Sequence, residues 1–304
     1  MRNRNLIRAS LCGKRKAIPG WVRAGWLIVL LPIAAGCVKA KFDPRPEDGK
    51  VTLVFDWGNN TPASKMQVWL YDSQGNKRDM YESAGAPHLT LALPVGQYKI
   101  LAANCDSPET ELRNMERYET AGIFLAGIVR SSCSQVMQPS SVYGTRMEFE
   151  VAGRDSTGYR LSPESYVKSM SLNLDFKGNT GMIKTCSAVL EGVSTGVDLS
   201  GGCILHGGNG SHEIQLSQDG SAYKGNVNLL GKDELNAGAI LLEIEYKDGS
   251  QQPLRLDIDD RLVEINNAGT LSITVELSMQ QAGLAAQVVG WDVVPGGDMD
   301  TDRE

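Results

Sequence analysis

Val51-Thr-Leu-Val-Phe-Asp-Trp57 decides the fold class. Val51, Leu53, Phe55 and Trp57 fall on one side and Thr52, Val54 and Asp56 on the other, the period of two of a half-buried strand. Met66-Gln-Val-Trp-Leu-Tyr71 repeats the pattern, with Met66, Val68 and Leu70 alternating against Gln67, Trp69 and Tyr71. Asp72-Ser-Gln-Gly-Asn76 then supplies turn residues. Further along, residues 79–83 read as a short strand, and 89–93 and 97–103 as a hairpin about Pro94-Val-Gly96. Residues 104–117, rich in Asp, Glu and Asn, read as a long surface loop or a short helix. Residues 123–129 and 146–151 are expected to close this sheet, with a polar loop at 131–141.

Residues 154–162, a run of Gly, Ser, Thr and Asp before Pro163, read as a boundary. Beyond it, residues 166–176 alternate Met170, Leu172, Leu174 and Phe176 with polar partners, and 182–191 form a second strand. Further strands are expected at 212–216, 225–229, 239–246, 253–258, 271–277 and 287–294. Sustained helical periodicity is missing, whereas short strands separated by turn residues every eight to twelve or so positions fill both halves. The chain therefore reads as all-β, with antiparallel sandwiches in tandem: one domain over 51–153, another over 160–295 and a polar tail at 296–304. No fixed-period repeat suggests a propeller or solenoid.

Ahead of these domains stands a leader. Arg2, Arg4, Arg8, Lys14, Arg15, Lys16 and Arg23 precede the apolar run Trp26-Leu-Ile-Val-Leu-Leu-Pro-Ile-Ala-Ala-Gly-Cys37. A basic start, a short apolar segment and a small-residue ending describe a signal peptide over residues 1–36, cleaved between Gly36 and Cys37. The ending is of lipobox type, so Cys37 is expected to take diacylglycerol through a thioether, with palmitate among its acyl chains. A spanning helix needs roughly twenty apolar residues, and Arg23, Lys39 and Lys41 bracket the run too closely for that. Residues 37–50, with Pro44 and Pro46, read as a lipidated tether.

The whole chain carries 30 Lys and Arg against 36 Asp and Glu. Losing the leader removes seven of those basic residues and leaves a markedly acidic protein. That charge opposes nucleic acid and anionic lipid alike, so the lipid anchor is the expected means of holding a membrane. Four cysteines remain besides Cys12 and Cys37: Cys105, Cys133, Cys186 and Cys203. Cys105 with Cys133 and Cys186 with Cys203 is the pairing that closes a loop inside each domain; two other pairings, and free thiols, also stay open. With no CxxC spacing and three histidines, a Cys/His metal site has little support, and no cofactor motif is present.

Gly49-Lys-Val-Thr-Leu-Val-Phe-Asp-Trp57, Met66-Gln-Val-Trp-Leu-Tyr71 and Leu93-Pro-Val-Gly-Gln-Tyr-Lys-Ile-Leu-Ala-Ala-Asn104, following a lipobox cysteine, resemble Bacteroidetes lipoproteins of the fimbrillin-accessory type. These are anchor or minor subunits of fimbriae, with a related family of unknown function. Ser187-Ala-Val-Leu-Glu-Gly-Val193 resembles a strand and turn found there. The resemblance implies two transthyretin-like β-sandwiches, an outer-membrane lipoprotein in cell adhesion, and fimbrial or other envelope proteins as partners. It implies no catalytic residue, and the chain is expected not to be an enzyme.

Other candidates are weaker. Asp257, Asp259 and Asp260 lack the glycine turn and distal Glu of an EF-hand loop, and alternation sets Asp257 and Asp259 on the solvent side of a strand. Asp298, Asp300 and Asp302 form a similar ladder. His206 and His212 flank Gly207-Gly-Asn-Gly210, but no nucleophile elbow accompanies them, and a solvated loop is expected. Aromatics on a sheet face stack on sugars, and Trp69 and Tyr71, opposite Val68 and Leu70 on their strand, are the expected glycan or partner contacts if they do not simply pack. Residues 271–277 or 287–294 are the segments expected to pair with a neighbouring subunit by strand addition.

Overall fold

The computed structural model describes residues 48–104, 107–129, 134–153, 156–178, 180–280 and 283–294. The leader, Cys37, Cys105, Cys133 and the tail 296–304 lie outside them. β1 (Gly49–Phe55) buries Val51, Leu53 and Phe55 and exposes Lys50 and Val54, as its alternation requires. After it come β2 (Met66–Asp72), β3 (Lys77–Ser83), β4 (His88–Leu93), β5 (Gly96–Asn104), β6 (Thr110–Arg113), β7 (Gly122–Leu125), β8 (Gly127–Val129), β9 (Ser134–Val136), β10 (Tyr143–Val151), β11 (Ser156–Leu161) and β12 (Glu164–Ser165). A three-stranded sheet, β11-β1-β4, faces a five-stranded sheet, β12-β10-β5-β2-β3, across a core of Leu53, Phe55, Val68, Leu70, Leu91, Ile100, Phe149 and Leu161.

Two expectations about this half fail for the same reason. β4 and β5, read as a hairpin, do not pair: β4 runs beside β1, whereas β5 lies between β2 and β10 in the opposite sheet. Leu93 and Ile100 both face the core from opposite sides, so the Pro94-Val-Gly96 turn crosses between layers. The stretch 154–162, read as a boundary, contributes β11, which pairs in parallel with β1 and seats Leu161 in the first core. Both strands bury apolar residues against partners remote in sequence, and burial outweighs the local turn signal. Within 104–117, read as loop or helix, β6 forms instead.

The second half contains β13 (Lys168–Lys177), β14 (Ile183–Val193), β15 (Gly196–Asp198), β16 (Cys203–Ile204), β17 (Gly210–Ile214), β18 (Ser217–Asp219), β19 (Ala222–Leu229), β20 (Ala239–Tyr246), β21 (Gln251–Asp257), a short helix α1 (Asp259–Leu262), β22 (Thr270–Gln280) and β23 (Gly283–Val294). A five-stranded sheet, β18-β19-β13-β22-β23, packs on a six-stranded one, β21-β20-β14-β17-β9-β8. Met170, Leu172, Leu174 and Phe176 of β13 and Leu271, Ile273, Val275 and Leu277 of β22 point into the core between them. β13 and β22 run parallel, as β1 and β11 do, so each sandwich is closed by its first and a late strand.

The two sandwiches exchange strands. β9, from the first half, pairs in parallel with β17, and β15, from the second half, pairs with β7. Residues 123–129 therefore do not extend the sheet of β10, as expected, but divide between β7 and β8 in two other sheets. The small sheet β16-β15-β7-β6 covers the outer face of β2 and β5, and a third core of Trp69, Tyr71, Leu101, Tyr118, Ile123, Val197 and Leu199 fills the space.

Candidate interaction surface

Trp69 and Tyr71 do not reach solvent: they are 4% and 0% exposed. The covering sheet encloses Trp69, and Tyr71 donates its hydroxyl hydrogen to the Met115 carbonyl at 3.0 Å and meets Tyr118 edge-on at 5.5 Å. Burial pushes the Tyr71 phenol up, with the Glu116 carboxylate adding to the effect. The expected glycan or partner contacts are therefore core residues, because the outer face of β2 is covered by strands from elsewhere in the chain.

Cys186 and Cys203 are not bonded to each other, so the bridge considered for the second domain is not made among the described residues. Cys186 lies on β14 against the second core and Cys203 on β16, in different sheets. Burial pushes the Cys186 thiol up to about 12, whereas Cys203 is exposed. A maleimide applied to the folded chain is expected to label Cys203 and to reach Cys186 only after unfolding, as read by peptide mapping. Protection of both until a reductant is added would restore the bridge.

The histidines part company. His206 accepts a hydrogen bond from the Glu234 backbone N–H at Nδ1, 3.2 Å away, on an exposed loop. His212 is 0% exposed on β17, with Nδ1 3.1 Å from the Val136 carbonyl and no partner for Nε2 among the described residues. Burial holds its imidazole down to about 4, against the opposing Val136 contact. The folded state thus prefers neutral His212, so its stabilising contribution is full above the unfolded value near 6.5 and is lost as pH falls from there towards 4. The loss is about 3 kcal/mol at roughly 1.4 kcal/mol per pKa unit. Urea titrations at pH 7 and pH 4.5 are expected to show this drop in the native chain and a smaller one in His212→Asn; equal drops would assign the acid sensitivity to other groups.

Asp257, Asp259 and Asp260 do not line a strand, since β21 ends at Asp257 and α1 begins two residues on. Asp259 Oδ1 accepts from the Gly238 N–H at 2.6 Å and from Lys232 Nζ at 2.9 Å, and these contacts hold its carboxyl below the usual range. Among the described residues, no three His, Cys, Asp or Glu side chains converge as metal ligands, and no helix is long and apolar enough to cross a membrane.

Of the two expected pairing segments, 271–277 lies within β22, hydrogen-bonded on both sides to β13 and β23. Residues 287–294 lie within β23, which has β22 on one side and, among the described residues, forms the edge of its sheet. Leu284, Ala286, Val288 and Val293 pack on the core, whereas Val289, Trp291 and Val294 are exposed. Val275 pairs with Val288 and Thr274 with Gly290, so the register passes over Val289 in a bulge. That extra residue brings Trp291 opposite the inward-facing Ile273, and the indole is left exposed. There Arg261 of α1 stacks on it, Cζ to ring centroid 3.5 Å. The alternation of 287–294 gave no sign of the bulge, and Trp291 carried no signal of its own.

The arrangement matches known architectures at low identity. The fimbrial anchor protein Mfa2 from Porphyromonas gingivalis superposes with a TM-score of 0.60 at 11% identity, covering 82% of this chain and 100% of that one. A candidate adhesin from Bacteroides ovatus gives 0.58 at 16%, covering 78% and 91%. A candidate polysaccharide-binding protein (DUF1812) from Bacteroides thetaiotaomicron gives 0.55 at 11%, covering 82% and 99%. At these identities the likeness is one of fold. No curated protein matches the sequence. The family described as a domain of unknown function, DUF5119, matches residues 36–208, from beside Cys37 through β16. That span exceeds half of the 304 residues, and the chain belongs to the DUF5119 family.

Proposed function

We propose that this chain is a non-catalytic lipoprotein of the cell envelope, held in the outer membrane by lipid on Cys37, and that it serves as a fimbrial anchor or minor subunit. The observation that carries the reading is β23, a twelve-residue strand at the edge of its sheet, with backbone donors and acceptors available to a strand from another subunit. The fold shared with a fimbrial anchor and a candidate adhesin supports it, as does the basic, apolar, lipobox-ended leader. The two sandwiches form a rigid acidic spacer between the lipid and its partner.

Two measurements test this. Cells fed labelled palmitate are expected to label the native chain and not Cys37→Ser. Val289→Pro alters a position that the β22 register skips, and is expected to leave the fold intact while abolishing co-purification with fimbrial protein. Undiminished co-purification would exclude the β23 edge. A second reading, a glycan-binding surface protein, loses Trp69 and Tyr71 but retains support from the exposed Trp291 and from the fold of the candidate polysaccharide-binding protein.

A further inference from the structure

Beside the β23 edge lies a cleft of about 500 Å³ lined by Asp257, Ile258, Asp259, Asp260, Arg261, Val288 and Trp291. We infer that this cleft binds a neutral carbohydrate, with Trp291 as the stacking platform and Asp257 and Asp260 as acceptors for its hydroxyl groups. The inference rests on the second reading above, that of a glycan-binding surface protein, and gives it a site.

Among the described residues, Trp291 is the large aromatic residue left exposed, at 46%. Its position is built rather than incidental. The bulge at Val289 sets it opposite Ile273, and Arg261 covers one face of the indole and fixes the ring beside the cleft that both residues line. Arg261 is steadied in turn by Glu264, Nη1 to Oε1 3.5 Å. A fixed indole presents a flat, electron-rich surface that suits the C–H face of a pyranose ring, and it loses little entropy on binding.

The polar groups divide into those already engaged and those available. Asp259 is committed to Gly238 and Lys232, and this clamps α1 against the loop before β20. Asp257 spends Oδ1 on the Asp259 N–H at 3.0 Å and is otherwise exposed, and the exposed Asp260 carboxylate has no partner among the described residues. Two acceptor-only carboxylates beside an aromatic plane match the outward hydroxyls of a sugar. The same carboxylates repel an anionic ligand, and the stacked guanidinium disfavours a cation at the ring. The volume lies within the range of small-ligand sites.

The test uses the full chain in detergent with N-acetylated chitohexaose, cellohexaose, mannohexaose and xylohexaose, all neutral, each titrated by calorimetry. At least one is expected to bind, with affinity reduced tenfold or more by Trp291→Ala, a few-fold by Asp260→Asn, and only slightly by Trp291→Phe. The buried Trp69→Phe is expected to leave affinity unchanged, and thermal midpoints verify that each variant is folded. Binding that survives both Trp291→Ala and Asp260→Asn overturns the inference and leaves adhesion intact through another surface. Failure of all four sugars to bind also overturns it, as does binding of hexalysine in their place with the same dependence on Trp291. Loss of fimbrial co-purification in Val289→Pro reports on the anchor reading separately.

Discussion

Trp69→Ala is expected to lower the unfolding free energy by about 3–5 kcal/mol, the range for truncating a buried indole. Trp69 sits opposite Met80 of β3 and Leu101 of β5, on the face of β2 turned away from the first core. It shares the third core with Leu101 of β5, Ile123 of β7, Val197 of β15 and Leu199 just beyond β15. The indole is the largest side chain in this third core, so its removal opens a cavity that the interlocked sheets can close only in part. Urea denaturation at constant m value measures the loss. A change under 1 kcal/mol would place Trp69 at the surface and contradict the covering sheet.

Asp233→Ala is expected to cost a comparable amount, about 3–5 kcal/mol, as for breaking a buried charge network. Its carboxylate is 0% exposed and accepts four hydrogen bonds: Gly207 N–H at 2.8 Å and Leu235 N–H at 3.1 Å on Oδ1, and Asn209 N–H at 3.2 Å and Asn236 Nδ2 at 2.8 Å on Oδ2. Burial alone raises its pKa, but these donors together outweigh it and hold the carboxyl below its ordinary value. Its contribution is therefore present above the unfolded carboxylate range near 3.9 and lost only as pH falls through the lower folded value. At pH 7, Ala leaves four donors without their acceptor and frees the 206–210 turn from the 232–236 loop. Asp233→Asn, which keeps the size but replaces one acceptor oxygen with a donor, is expected to lose nearly as much. Equal stability of Asp233→Ala and the native chain would show that water replaces the carboxylate at no cost.

Much of the strand content was legible because alternation is a local property. β1, β13 and β22 each bury one face, and Val51, Leu53, Phe55, Met170, Leu172, Leu174, Leu271 and Ile273 could be assigned to cores from spacing alone. β2 shows where that reasoning stops. Its period of two separates Val68 and Leu70 from Trp69 and Tyr71, but both sets are buried. An aromatic on a polar-looking strand face carries the same local signal whether it awaits a sugar or a second sheet. The turn at Pro94-Val-Gly96 was likewise legible as a reversal, but not as a crossing between sheets, because hairpin and crossover turns share their residue preferences.

The candidate site was less legible still. A bulge is a property of two paired strands, and the skipped Val289 appears only when β23 is set against β22. The Arg261 contact then depends on where α1 closes the far end of the same core. The carboxylates at 257–260 stood out in sequence, but their division into a structural Asp259 and available Asp257 and Asp260 depends on the buried Lys232 reaching Asp259.

By itself, the sequence determined an all-β chain, its main strands, its acidic character and a basic stretch followed by an apolar run up to Cys37, because strand period, turn chemistry, charge and apolar length are set by neighbouring residues. Only the tertiary structure decided that the sandwiches share strands, that Trp69 and Tyr71 are interior, that Cys186 and Cys203 stand apart and that Trp291 stands over a cleft. Each of these depends on which remote strand covers a face or lies alongside an edge. That choice is made by burying the greatest apolar area over the whole chain, not by any window of its sequence.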